Sequence, residues 1–209
     1  MIPPRTQPEY TAHWESFKPG LHLVRGIPHI GYGFRISNAE FVGHNELSGA
    51  FEGNCDERVK AMLNGDEDWL PREVADFWLQ KLLEGFVGKI MDRISPEAWR
   101  AMDPPRRDRV GRHWPLGHEV RAASPRQVAL LDVAYQAGTG GLPGFWNCVS
   151  MAALAKPDPL VQQTWRLAHD HLLFVDPAHP EGERTAYSMI RVERAELNAR
   201  VILTGEWPA

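Results

Sequence analysis

The longest regular pattern in the chain lies near its middle. From Arg72 to Ile94 the apolar residues Val74, Phe77, Trp78, Leu82, Phe86, Ile90 and Ile94 recur three or four apart, which is the period of one face of an α-helix. A helix of about 22 residues is roughly 33 Å long at 1.5 Å per residue, as long as a small domain is wide. Such a helix is long enough to bridge two lobes. The "NGDEDWLP" run before it supplies a turn at Asn64-Gly65 and a proline, Pro71, suited to a first helical turn. Along the chain this separates residues 1–70, the long helix over 71–94 and a mainly helical remainder over 95–209.

Composition narrows the class. With 43% hydrophobic and 24% charged residues in 209, the chain has enough apolar material for a globular core. Its apolar runs are a few residues long, far short of the roughly 20 needed to span a bilayer, so membrane insertion is not expected. The N-terminal "MIPPRTQPEYTAHW" has no basic segment followed by an apolar core, and so is not read as a signal peptide. The formal net charge of −4 gives no basic field of the kind nucleic-acid binders use. Cys55 and Cys148 form neither a metal-spaced pair nor a disulfide framework and are read as buried or half-buried thiols.

Around the central helix, "PEYTAHWESF" reads as a short helix with Tyr10, Trp14 and Phe17 on one side, and Glu15 near its end. The runs Leu21 to Arg25 and His29 to Ile36, joined through Gly26 and Pro28, have the composition of a β-hairpin. Gly31 and Gly33 in the second run imply the close approach of another backbone or a ligand. Residues 103–123, rich in Pro, Gly and Arg, carry no sustained period and are read as an irregular insertion. Ser124, Pro125 and Gln127 form a capping box opening a helix that Gly138 can end. Further helices are expected from about Pro143 to Ala155, over "DPLVQQTWRLAHDHLL", and over "SMIRVERAELNARVILTGEW". The overall class is α+β, mainly α.

Three stretches carry chemistry or shape beyond these elements: "ESFKPGLHLVRGIPHIGYGF", "LLDVAYQAGTGGLPGFWNC" and "RAELNARVILTGEW". In this order, with a long helix between the first two, they resemble the phage-type lysozymes, glycoside hydrolase family 24. That family has a Glu before a hairpin and an Ile-Gly-Tyr-Gly run, a cleft helix with Gln, Gly, Gly-Phe and Asn, and a closing Thr-Gly-x-Trp. The resemblance implies a two-lobed lysozyme-like fold, with a small lobe over 1–70 and a helical lobe over 95–209 joined by the 71–94 helix, whose interlobe cleft holds bacterial peptidoglycan. It implies Glu15 as the general acid, a task for a carboxyl kept protonated by partial burial. It implies that Tyr135, Gln136 and Asn147 meet the sugar chain. Arg194 falls where the family has an arginine near the acid. Because a cation favours the charged carboxylate, Arg194 is expected to position Glu15 rather than raise its pKa.

The chain departs from that family at two places. A catalytic Asp is expected about nine residues after the Glu, but no acidic residue lies between Glu15 and the Ile-Gly-Tyr-Gly run. The Thr before the run is His29 here and the His after it is Phe34. His29 is thus the candidate base or nucleophile, with His22 a weaker substitute, since a neutral imidazole can take a proton or attack. Three functions stay open on sequence: a muramidase cutting between N-acetylmuramic acid and N-acetylglucosamine, a transglycosylase using Glu15 alone, and a degenerate lysozyme that binds wall polymer or a protein partner in a phage or secretion system. A monomer is expected, with no cofactor. No metal is expected at "HDH" (169–171), whose histidines point to different helix faces, or at "HWPLGHE" (113–119). The basic "PPRRDRVGR" run is read as a solvated excursion, and Trp146 and Trp207 as core or lobe-closing aromatics. Lacking a signal peptide, such a protein is expected to be made in the cytoplasm. It would reach the periplasm or cell wall by phage holin release or by a secretion or tail apparatus.

Overall fold

The computed structural model describes residues 7–35, 70, 72–103, 112–114, 118–120, 123–155, 159–179 and 182–208. These residues are mainly helical, with small antiparallel sheets, so the chain is α+β with α predominant. The elements are α1 (Gln7–Glu15), β1 (Lys18–Val24), β2 (Ile27–Gly31), β3 (Phe34–Arg35), α2 (Arg72–Ile94) and α3 (Pro96–Ala101). They continue with β4 (Arg112–Trp114), β5 (His118–Val120), α4 (Pro125–Ala137), α5 (Pro143–Leu154), α6 (Pro159–Leu173), α7 (Ala186–Ile190) and α8 (Val192–Thr204). The long helix spans the residues its periodicity marks. The Asn64-Gly65 turn, Pro71 and Cys55 lie outside the described residues.

The chain divides into two compact units, and the division does not fall at the ends of the long helix. One unit is Ala12–Lys81 with Trp114–His118; the other is Met1–Thr11, Leu82–His113 and Glu119–Ala209. Both α1 and α2 therefore pass from one unit into the other.

In the smaller unit, β1, β2 and β3 form an antiparallel sheet in that order. Pairing of His22 with His29 and Val24 with Ile27 sets the hairpin register, and the turn places Arg25 and Gly26 at positive φ, 52° and 78°. Ile30, Tyr32, Phe34, Leu70, Ala75, Trp78 and Leu79 supply its buried apolar residues. Phe17 does not continue the α1 face with Tyr10 and Trp14. The helix ends at Glu15, Ser16 turns to φ 54°, and the Phe17 ring packs on Tyr32 with centroids 5.6 Å apart. Along the first turns of α2 Ala75, Trp78, Leu79 and Leu83 are buried, while Phe77, Leu82 and Phe86 are half-buried. The apolar stripe is wider than its core-facing line, so periodicity alone locates the face to within a residue.

The helical unit is built around α4, in which every residue from Gln127 to Ala134 is buried. A helix covered on all sides belongs at the centre of a bundle. Its start is the expected capping box: Ser124 Oγ accepts from Gln127 N–H, and Gln127 Oε1 accepts from Ser124 N–H. Gln127 Nε2 also donates to Trp99 O and Asp103 Oδ1, fixing the end of α3. Ile90, Ile94, Phe145, Trp146, Val149, Trp165, Leu172, Ala199 and Ile202 complete the core around α4. Arg126 donates to the carbonyls of Ile202 and Leu203 at the end of α8 while its guanidinium lies 4.0 Å over the Trp165 ring.

Three segments differ from their reading in the sequence. The run from His29, read as one strand, turns at Tyr32 and Gly33, so that β2 ends at Gly31 and β3 pairs back on it. Within 103–123, read as irregular, β4 and β5 pair as a two-stranded sheet; three-residue strands are too short for a period to register. The terminal helix is two helices, because Arg191 is extended at φ −145°, ψ 94°. Thr185 caps α7, and Ser188 Oγ donates to the carbonyls of Leu173 and Thr185, tying α7 to the end of α6.

A carboxylate, Asp132, sits in the middle of this core with 0% exposure. Arg194, also 0% exposed, donates to it from Nε at 2.8 Å and Nη2 at 2.6 Å. Asn198, one turn along α8, donates to Asp132 Oδ2 at 2.7 Å and to the Tyr187 hydroxyl at 2.8 Å. Thr11 donates to Asp132 Oδ1, and the Tyr10 hydroxyl donates to Asn198 Oδ1. Burial, then the Asp132 charge, push the Tyr187 hydroxyl far above its ordinary range. Removing one member of a buried ion pair strands the other in low dielectric at a cost of about 3–5 kcal/mol. Asp132→Ala is therefore expected to lower unfolding free energy by about that amount in denaturant titration, with Asp132→Leu/Arg194→Met recovering most of the loss.

Candidate functional site

Glu15 closes α1 and Ser16 leaves it in a left-handed conformation, so the carboxylate comes off a helix end. It is half-buried, and it faces the turn that follows β2. A Cβ placed on Gly33 would lie 3.6 Å from Glu15 Oε2. Gly33 has φ +87°, Gly31 φ +64°, and a Cβ on Gly31 would meet the Phe34 and Leu70 side chains at 2.8 to 2.9 Å. The close approach implied by these glycines is real, but what approaches is side chains rather than a second backbone: Phe34 and Leu70 at Gly31, the Glu15 carboxylate at Gly33.

Between the two glycines, Tyr32 is 1% exposed in the smaller unit, yet it carries a hydroxyl. Asp76, from the second turn of α2 and 3% exposed, accepts a hydrogen bond from that hydroxyl at 2.5 Å. Burial, and then the hydrogen bond and charge of Asp76, push the Tyr32 hydroxyl up to about 12, against a partial opposing effect of Arg72. Arg72 also lies 5.7 Å over the Phe17 ring. Asp76 is thus a second carboxylate of the smaller unit, supplied from α2 and not from the interval after Glu15. Asp76 is engaged with Tyr32 and holds the glycine turn beneath Glu15. Asp76 was not singled out among the candidate residues: it is one polar position in an amphipathic helix, and nothing local marks it as buried.

His29 lies in β2 directly opposite His22 in β1. Its Nδ1 is 2.8 Å from the carbonyl of Ile27; since a carbonyl only accepts, Nδ1 carries the proton and Nε2 presents a lone pair when the ring is neutral. Such a ring can accept a proton from water. Glu15 and His29 belong to the smaller unit.

The remaining candidates belong to the helical unit. Tyr135 and Gln136 are half-buried in the last turn of α4, with Tyr135 edge-on to Phe86 at 6.3 Å between centroids. Asn147 is exposed on α5. Arg194 is the fully buried partner of Asp132. A cavity of about 530 Å³ begins at Ala137, the residue after Gln136, and is walled by Leu142, Phe145, His171, Phe174, Tyr187 and Ile190. His171 packs on Gly144, where a Cβ would come within 2.9 Å of its ring, while His169 pairs with Asp170 at 2.7 Å. Trp146 is a core residue at 1% exposure, and Trp207 packs on Tyr10 at 4.9 Å. Cys148 is half-buried, and burial raises its thiol pKa. Among the described residues no group of three or more His, Cys, Asp or Glu side chains is placed to hold a metal.

No protein-family model matches the chain, and no curated protein matches it.

The Tyr32–Asp76 pair predicts an alkaline signature. The fold raises the Tyr32 pKa from its ordinary value of 10.0 to about 12, so it favours the protonated form. That stabilisation is complete below pH 10 and is lost as pH rises toward 12. Phenolate absorbance titration is expected to show a late-ionising tyrosine that disappears in Tyr32→Phe, whose stability then falls less steeply between pH 10 and 12. A Gly33→Ala variant, forced to hold a left-handed φ, is expected to be less stable by about 1–2 kcal/mol in thermal or denaturant unfolding.

Proposed function

We propose that the protein is a peptidoglycan-cleaving muramidase of lysozyme type, acting on the bond between N-acetylmuramic acid and N-acetylglucosamine, with Glu15 as general acid. The observation that carries this reading is the seat of the Glu15 carboxylate against Gly33 of the Ile-Gly-Tyr-Gly turn, itself locked by Tyr32–Asp76. A helix-end carboxyl held half-buried over a rigid turn is the arrangement an acid needs to meet a substrate oxygen in one orientation.

In the proposed step Glu15 gives its proton to the glycosidic oxygen as the bond from that oxygen to C1 of the muramic acid breaks. Charge develops on the sugar ring as an oxocarbenium-like centre. A water adds to C1, and the Nε2 lone pair of His29 takes the water's proton. Tyr135, Gln136 and Asn147 would bind the sugar chain, and Arg194 would act through the Asp132 network rather than on the sugar. Among the described residues no helix is long and apolar enough to cross a membrane. The proposed site of action is the wall, reached by holin release or by a secretion or tail apparatus.

The test is clearing of purified cell walls by wild type, Glu15→Gln and His29→Ala proteins of matched circular dichroism. Glu15→Gln is expected to lose activity by about 10²-fold or more, and His29→Ala by about 10²-fold, the range general acid–base groups supply. Clearing by Glu15→Gln at the wild-type rate would overturn the acid role, and no clearing by any of the three would leave a wall-binding protein as the better reading. Mass analysis of the released fragments then separates hydrolysis, which gives reducing ends, from a transglycosylase that uses Glu15 alone and gives anhydro ends.

A further inference from the structure

The hairpin brings together two imidazoles that the sequence keeps seven residues apart. His22 and His29 are directly opposed across β1 and β2, and their ring centroids are 6.1 Å apart with 39° between the planes. Side chains at directly opposed positions of an antiparallel pair emerge on the same face of the sheet. Two imidazoles sharing one ion, at about 2.0–2.1 Å per nitrogen–metal bond, have ring centres roughly 5 to 6.5 Å apart depending on the angle at the metal. At 6.1 Å the pair lies at the wide-angle end of that range, so tetrahedral coordination requires side-chain rotation to close it by about 1 Å.

The tautomers suit the same purpose. His29 Nδ1 faces the carbonyl of Ile27 at 2.8 Å and His22 Nδ1 faces that of Gly20 at 3.5 Å. A carbonyl partner on Nδ1 leaves Nε2 as the lone-pair nitrogen, the second-shell arrangement that orients histidines bound to metals. No hydrogen bond to either Nε2 is found among the described residues. Burial, with the charges of Lys18 and His29 adding to it against the Gly20 carbonyl, lowers the His22 pKa below its ordinary value.

We propose that His22 and His29 form a two-histidine site for a divalent transition metal, with water completing the coordination. Neutral imidazole suits copper, nickel and zinc rather than magnesium or calcium, and the expected order of affinity is copper above nickel and zinc. With only two protein ligands, and Lys18 on the same strand, the site is exchangeable rather than structural. The ion would occupy the lone pair that His29 uses in the muramidase reading, so on that reading it would also inhibit.

The experiment is calorimetric titration of the full chain with copper(II), nickel(II), zinc(II) and magnesium(II), alongside nuclear magnetic resonance of the histidine ring protons. One equivalent of copper is expected to bind, broadening the His22 and His29 signals first. His22→Ala and His29→Ala are each expected to weaken binding by tenfold or more, while His169→Ala and His171→Ala leave it unchanged. His22→Gln, which keeps a polar side chain in the strand, guards against loss through unfolding and is expected to behave as His22→Ala. No copper binding by the wild type, binding unaltered by the hairpin variants, or binding lost in the α6 variants would overturn the site. Because the readout is binding, the result stands whether or not the protein clears cell walls.

Discussion

The helical unit depends on one buried charge pair. Asp132 on α4 and Arg194 on α8 are both withdrawn from water, and each alone would cost several kcal/mol to bury. They are tolerated together because the guanidinium meets the carboxylate through two nitrogens and because Asn198 and Thr11 supply further donors to the same carboxylate. The satisfied network also fixes register. It accepts one rotation of α8 against α4, the one that places Arg194 and Asn198 one helical turn apart on the same carboxylate. Through Tyr10 and Thr11 it draws the start of α1 into the helical unit, while the rest of α1 carries Glu15 into the other.

In the smaller unit the constraint is space rather than charge. Gly31 and Gly33 both have positive φ, and at Gly31 a side chain would also strike Phe34 and Leu70, whereas at Gly33 it would only touch the Glu15 carboxylate. Tyr32 between them turns inward to Asp76, which anchors the turn to α2. The two glycines thus act in different ways: Gly31 makes room for the core, and Gly33 supplies the left-handed backbone that turns the chain beside the Glu15 carboxylate.

Much of the framework is legible in the chain itself. The α2 periodicity gives its limits, the Ser124–Gln127 capping box and Gly138 give those of α4, and the glycines and turn residues give the hairpin. These signals are local, since a cap, a turn or an amphipathic face is made by residues within a few positions of one another. The candidate site is legible only in part. Glu15 and His29 stand out beside the Ile-Gly-Tyr-Gly run, whereas Asp76, 44 residues from its Tyr32 partner, has no local sign. The break at Arg191 has no proline or glycine to announce it, and is held by contacts of α7 with the end of α6.

The sequence by itself determined the long helix, the capped central helix and the absence of an acidic residue between Glu15 and the glycine turn. Only the tertiary structure decided what the charged and titratable groups face. It paired Arg194 with Asp132 across 62 residues, gave Tyr32 to Asp76, and set His22 opposite His29. The physical reason is that secondary structure follows from short-range sterics and hydrogen bonds. The partner of a buried polar group is chosen by whichever distant residue the packing brings within about 3 Å, and a single sequence does not encode that in any local pattern.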